Sequence, residues 1–268
     1  MSPFRTIELS DPRFEPDGLR HITVKSKHLQ GRGDITLFIP QGMEKSTLSL
    51  PLLILLHGVY GSHWVWSMKG GAHRTARLLI DSGTIPPLLI AMPSDGLWGD
   101  GSGYVPHSNR DYEQWIIEDV PQAVMAATPL VTPSSPLFIT GLSMGGWGAL
   151  SLGAKYPELF SAISAHSSIT RWEEMNIFVE EDTDQIPVRE DQESVIQLLS
   201  HNKEKLPALR FDCGLEDPLL EGNRLLHQQL THSGIPHQYE EFPGGHEWAY
   251  WERHLEDTLI FCTRCLPT

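Results

Sequence analysis

Cysteine is scarce in this chain. The 268 residues hold three, Cys213, Cys262 and Cys265, an odd number that builds no disulfide framework. The Cys262-x-x-Cys265 pair has neither a second ligand pair nor a redox-motif position at a helix start, so the thiols are expected to be free. Basic residues are also few. Twenty Lys and Arg stand against 34 Asp and Glu, a net charge of −14, which argues against a nucleic-acid partner and for solubility. No window approaches the roughly 20 consecutive apolar residues that span a bilayer, which excludes a membrane-spanning helix. The N-terminal stretch Met1 to Glu8 lacks the apolar core and cleavage site of a secretory signal, so a cytoplasmic location is the default expectation. Missing too are a phosphate-cradling or dinucleotide loop and the His-x-x-x-His or clustered-carboxylate spacing of a catalytic metal site. Neither a metal nor another cofactor is therefore expected, and homo-oligomerisation stays open.

What the chain does have is alternation. Segments 21–26 and 34–39 read as an antiparallel hairpin turning at Gly31-Arg-Gly33. Continuous apolar runs at 52–56, 88–92, 137–140 and 208–212 have the character of strands buried on both faces of a parallel sheet. Helical patterns lie between and after them, at about 72–81, 111–127, 144–156, 219–232 and 246–262. The expected fold is α/β, with a mostly parallel central sheet and helices on both faces, and 40% apolar content suffices to fill one domain over residues 1–268. Two segments interrupt the pattern. Residues 93–110 are glycine-rich and follow a strand end, where ligands of open α/β sheets bind. Residues 171–206 are acidic, a candidate lid or cap inserted between two sheet strands, or a solvated helical excursion.

The stretch Leu137 to Leu150 contains a short apolar strand, the turn Gly141-Leu-Ser-Met-Gly145 and a helix start in unbroken succession. That context makes Ser143 a candidate nucleophile. A side chain at position 141 or 145 would collide across so sharp a turn, and glycine removes it. The helix start aims unpaired N–H groups at the place where an attacked carbonyl develops negative charge.

A serine hydroxyl is a weak nucleophile and needs a base. His246 follows the turn Phe242-Pro-Gly-Gly245 at the end of the final strand and opens the last helix; His57, which also ends a strand, is its rival. The base needs an orienting carboxylate. Asp217 lies in the turn after the strand ending at Gly214, with Asp212 and Glu216 as alternatives. The order serine, aspartate, histidine is the one used by α/β-hydrolases. The oxyanion donors are expected to be the N–H of Met144 and that of Val59, with Tyr60 second. Among a dense set of tryptophans, Trp64, Trp66, Trp98 and Trp248 are expected to wall the substrate site, whereas Trp147 and Trp251 read as helix-face core residues.

The runs Leu56-His-Gly58 with Gly61, Gly141 to Gly148, Cys213-Gly-Leu-Glu-Asp217, Asn223-Arg-Leu-Leu-His227 and Gly244-Gly-His-Glu-Trp248 resemble the putative-esterase family of α/β-hydrolases. That family includes esterase D (S-formylglutathione hydrolase), tributyrin esterases, feruloyl and acetyl-xylan esterase domains, and mycolyltransferases. The resemblance runs from about Thr23 to Leu255. It implies Ser143, Asp217 and His246 as the triad and a two-amide oxyanion hole matching Val59 and Met144. At His57-Gly-Val-Tyr-Gly-Ser62 the chain departs from the Ser-Gly-Leu-Thr-Cys type of the S-formylglutathione hydrolases and looks closer to the tributyrin and feruloyl branch. The expected activity is hydrolysis of short-chain acyl or aryl esters, acylated sugars included, through an acyl-enzyme on Ser143. An acyltransferase with the same triad and a glutathione thioesterase remain the alternatives.

Overall fold

The computed structural model describes residues 3–43, 46, 48–186 and 188–266. Met1 and Ser2 of the N-terminal stretch and Pro187 of the acidic insert lie outside the described residues.

The sheet has nine strands: β1 (Ile7–Leu9), β2 (Leu19–Ser26), β3 (Gly31–Phe38), β4 (Leu52–Leu56), β5 (Leu89–Pro93), β6 (Leu137–Leu142), β7 (Ala162–His166), β8 (Ala208–Gly214) and β9 (Gln238–Phe242). Their spatial order is β1-β2-β3-β5-β4-β6-β7-β8-β9. The sheet is mixed: β1 to β3 and the β3–β5 pair run antiparallel, and from β5 to β9 every neighbouring pair is parallel. The chain leaves β4 on one side to build β5 and on the other to build β6. The crevice beyond the carboxyl ends of β4 and β6 is therefore a topological switch point, where open α/β sheets bind ligands.

The run Leu52-Leu-Ile-Leu-Leu56 shows why continuous apolar sequence makes a central strand. Strand side chains alternate between faces. Leu52, Ile54 and Leu56 enter one core, and Leu53 and Leu55 enter the other. The first core is roofed by the helices α3 (Tyr112–Gln114), α4 (Val120–Ala127), α5 (Met144–Lys155), α6 (Val195–His201) and α7 (Leu220–His232). The second is covered by α1 (Val65–Met68), α2 (Ala72–Asp81) and α8 (Trp248–Arg264).

Three boundaries differ from expectation. The hairpin turns before Gly31, which already belongs to β3. Gly33 sits mid-strand because the Trp115 indole lies where its side chain would be, with an added Cβ only 2.5 Å from the ring. The helix expected over 111–127 contains a π-helical turn at Trp115–Asp119 just ahead of Pro121, which has no N–H to give to a regular ladder. His246 precedes α8 instead of opening it, since the helix begins at Trp248. β1 and β7 were not foreseen.

Segment 171–206 runs between β7 and β8. It is built of short 3-10 turns at Trp172–Ile177, Thr183–Gln185, Glu190–Gln192 and Lys203–Lys205, together with α6. Much of its acidity is tied up locally: Glu173 and Glu174 pair with Arg171 and Asp191 with Arg189.

Candidate active site

Ser143 ends β6 and caps α5 with φ 55° and ψ −119°, a conformation that non-glycine residues rarely adopt. Its neighbours hold it there. The Ser143 N–H donates to His166 O, and Ser143 O accepts from Trp147 and Ile169. A Cβ at Gly141 would lie 2.3 Å from Gly145 O, and one at Gly145 would lie 2.5 Å from Leu56 O. Only glycine lets β4, β6 and α5 approach so closely, and that approach puts the serine at the crevice.

His246 lies in the loop between β9 and α8. Its Nε2 is 3.0 Å from Ser143 Oγ, and its Nδ1 is 2.9 Å from Asp217 Oδ2 and 3.1 Å from Oδ1. Because Nδ1 faces a carboxylate it carries the proton, leaving Nε2 as the acceptor toward the serine hydroxyl. Asp217 follows β8 in a turn, is 5% exposed, and accepts the Leu219 N–H on Oδ1 at 2.8 Å. The structure thus brings Ser143, His246 and Asp217 together from three separate strand ends.

The rival residues have other partners. His57 is buried; its Nδ1 meets Gly58 O at 2.7 Å and its Nε2 accepts the Asp95 N–H at 3.0 Å. Both ring nitrogens are committed, so His57 pins the loop after β4 to the loop after β5. Asp212 accepts from Arg210, His166 and Tyr250. Burial works against its charge, but His166 and Arg210 outweigh that penalty and hold its carboxyl down at about 2. Glu216 accepts the Gly244 N–H at 2.6 Å.

A cleft of about 390 Å³ opens at the serine, lined among others by Gly58, Val59, Tyr60, Phe178, Trp248 and Trp251, within the size range of small-molecule sites. The N–H groups of Val59 and Met144 donate to no group among the described residues, whereas the Tyr60 N–H is already given to Asp100 O at 2.8 Å.

Of the tryptophans expected to wall the site, Trp248 does. The other three do not. Trp66 is 1% exposed, gives its indole N–H to Leu56 O and supports Trp248 edge-on from beneath. Trp64 faces solvent outside the cleft, where α1 starts. Trp98 packs edge-on against His107. Conversely Trp251, expected only in the core, also borders the cleft, with its ring edge-on to His246 at 4.9 Å.

Phe178 was missed, and Tyr60 was weighed only as an oxyanion donor, not as a wall of the cleft. The Phe178 ring stacks on His246 at a centroid distance of 5.0 Å, carried there by the acidic segment. The Tyr60 hydroxyl donates to Phe178 O, Asp100 Oδ2 accepts the Glu180 N–H, and the Asp100 N–H donates to Glu181 Oε1. The one sequence signal for Phe178 is the apolar triplet Ile177-Phe-Val179 amid acidic residues. Among the described residues no cluster of three or more His, Cys, Asp or Glu could hold a metal ion, and no helix is long and apolar enough to cross a membrane.

Comparison with known proteins identifies the family. The sequence profile of the family described as Putative esterase matches residues 26–262. An acetyl esterase of Caldicellulosiruptor saccharolyticus is 27% identical over 235 residues, covering 81% of this chain and 84% of the relative. An esterase of Mycobacterium tuberculosis is 25% identical over 248 residues, 79% of this chain but only 52% of the relative. Among solved structures, a ferulic acid esterase superposes with a TM-score of 0.79 at 25% identity, covering 98% of this chain and 100% of the other. An S-formylglutathione hydrolase of Staphylococcus aureus reaches 0.78 at 19% identity, with 96% and 99% covered. With a strand–serine–helix elbow at the switch point and a family match over nearly the whole chain, the protein belongs to the putative esterase family, has the α/β-hydrolase fold and is a serine esterase.

Proposed function

We propose that Ser143 is the nucleophile, His246 its general base and Asp217 the group that orients and charges-balances the imidazole. The observation that carries this reading is the continuous chain from Ser143 Oγ to His246 Nε2 at 3.0 Å and from Nδ1 to the Asp217 carboxylate at 2.9 Å. Ser143 Oγ attacks the ester carbonyl carbon as its proton passes to Nε2. The carbonyl oxygen becomes an oxyanion, received by the free N–H groups of Val59 and Met144. Collapse of the tetrahedral intermediate breaks the bond to the alcohol, which takes the proton from Nε2 and leaves an acyl group on Ser143. Water then repeats the sequence, losing a proton to Nε2 and releasing the acid.

The substrate is a short-chain acyl or aryl ester, acylated sugars included. Supporting this are the 390 Å³ volume of the cleft and its walls of Tyr60, Phe178, Trp248 and Trp251, which suit a flat or small group and leave little room for a long chain. The names of two relatives, an acetyl esterase and a ferulic acid esterase, point the same way.

The test is covalent labelling. A fluorophosphonate should modify Ser143, and Ser143→Ala should lose labelling and at least about 10⁴-fold in kcat while its melting temperature holds, because one oxygen is removed and little packing. Labelling of another residue, or a folded Ser143→Ala that keeps its activity, defeats the assignment. Comparing kcat/KM for acetyl, butyryl, feruloyl and palmitoyl esters tests the substrate class, and a preference for palmitoyl would sink it.

A further inference from the structure

Two turns meet beside the histidine. One follows β8 and carries Glu216 and Asp217; the other follows β9 and carries Gly244 and His246. Three hydrogen bonds join them. The Leu215 N–H donates to Phe242 O at 2.8 Å and the Glu216 N–H to Gly244 O at 3.0 Å, and in the opposite direction the Gly244 N–H donates to Glu216 Oε2 at 2.6 Å. The turns touch closely, since a Cβ at Gly214 would lie 2.2 Å from Gly244 O.

Gly244 is the soft point of this arrangement. Its φ of 129° belongs to a region that side-chain-bearing residues avoid, so no Cβ limits the rotation of the chain just ahead of the histidine. Restraint comes from outside. On one side the Tyr250 ring packs against it, leaving an added Cβ only 2.9 Å from Cδ2, and the Tyr250 hydroxyl is fastened to Asp212 Oδ1 at 2.8 Å. On the other side stands the Glu216 carboxylate. Glu216 is exposed and has no ion-pair partner among the described residues, and its short charge-assisted bond to the Gly244 N–H is the contact that its side chain makes.

We propose that Glu216 is a positioning residue for acyl transfer, whose carboxylate fixes the Gly244 turn and so holds His246 at hydrogen-bonding distance from both Ser143 and Asp217. The inference rests on the triad reading above. The two backbone bonds run the same way, and the opposed bond from Gly244 to Glu216 is the further restraint on the glycine turn. Displacements of about 1 Å at a catalytic group can cost about 10²-fold in rate, so a partial loosening is visible in kcat before it is visible in stability.

The experiment compares wild type, Glu216→Ala and Glu216→Gln for hydrolysis of an aryl acetate, with active sites counted by fluorophosphonate titration and melting measured alongside. Glu216→Ala is expected to lower kcat per labelled serine at least about fivefold, with KM within about twofold because Glu216 does not line the cleft. Glu216→Gln keeps an acceptor oxygen and is expected to stay within about twofold of wild type. An unchanged kcat per labelled serine in Glu216→Ala, whether or not melting falls, overturns the proposal. So does a Glu216→Gln rate as low as that of Glu216→Ala, since charge and not the bond to Gly244 would then be acting. A wild-type protein that neither takes the probe nor hydrolyses the ester overturns the triad reading, and the positioning role falls with it.

Discussion

Two aspartate–histidine pairs stand at neighbouring strand ends of this molecule. Asp217 holds His246 through Nδ1 at 2.9 Å, and Asp212 holds His166 through Nδ1 at the same distance. Beyond the carboxylate they diverge. His246 Nε2 meets Ser143 Oγ and keeps 16% of its side chain exposed, whereas His166 Nε2 meets Thr258 Oγ1 and has 0% exposed. Thr258 is a regular residue of α8, sealed from substrate. Ser143 is a strained elbow residue at the mouth of a cleft. An Asp–His–hydroxyl chain is thus not by itself a site. It becomes one through the backbone that presents the hydroxyl and the space in front of it.

The sharpest way to break the comparison is to neutralise each aspartate in turn. Asp217→Asn should leave the fold intact and lower kcat by about 10⁴-fold, because the imidazole then loses both its favoured tautomer and the charge that stabilises the imidazolium. Asp212→Asn should do the reverse. It leaves Arg210, 1% exposed, with Glu240 as its remaining ion pair among the described residues, and removal of one member of a buried pair costs about 3–5 kcal/mol. Urea denaturation should show that loss, while kcat per titrated serine stays within about tenfold of wild type. If Asp212→Asn were the catalytically dead variant and Asp217→Asn merely unstable, the roles would have to be exchanged.

A subtler separation uses acid. Burial raises the cost of ionising Asp212, but His166 and Arg210 more than compensate and set its carboxyl at about 2, below the ordinary 3.8. A carboxyl depressed in the folded state contributes stability that is complete above the unfolded value and disappears as pH falls through the folded one. The stability difference between wild type and Asp212→Asn should therefore shrink as pH falls between about pH 4 and 2. Urea midpoints at pH 5, 4, 3 and 2 measure it, and a difference that grows on acidification would contradict the ion-pair account.

The elements legible in the sequence are those whose local chemistry has one outcome. Leu52 to Leu56 has the length and continuous apolar content of a strand buried on both faces, and Gly141 and Gly145 flank Ser143 between an apolar strand and a helix start, so the elbow and the parallel half of the sheet were legible. β7 escaped because Ala162-Ile-Ser-Ala-His166 has no apolar run: its residues are small where α5 and α8 lie against it, and Thr258 of α8 reaches Ser164 Oγ at 2.6 Å. Gly31 and Gly33 suggested a turn, yet Gly33 serves to admit a tryptophan ring. Tryptophan spacing could not tell Trp66 from Trp248 because the two indoles pack edge-on against each other, and only the tertiary structure decides which of them faces the cleft. Phe178 lay beyond any local pattern, since it reaches His246 from a segment whose composition is that of a solvated excursion.

That segment supplies the last and smallest distinction between the two histidines. His166 is wholly buried, but His246 has the Phe178 ring stacked on one face, at 5.0 Å and 21° to the ring plane. An aromatic contact of this kind contributes about 0.5–1.5 kcal/mol, equivalent to about 2- to 12-fold in an equilibrium constant. Phe178 also lines the cleft, so Phe178→Ala should raise KM for an aryl ester by a few-fold and that for ethyl acetate by less, because only the aryl group loses a stacking surface. kcat should change little, since the bonds from His246 to Asp217 and Ser143 are independent of the ring. Trp64→Ala, an exposed residue outside the cleft, is the matched control and should alter neither constant. Steady-state kinetics on the two esters measures the effect. A large fall in kcat with unchanged KM would mean that Phe178 holds the histidine in place instead of receiving the substrate.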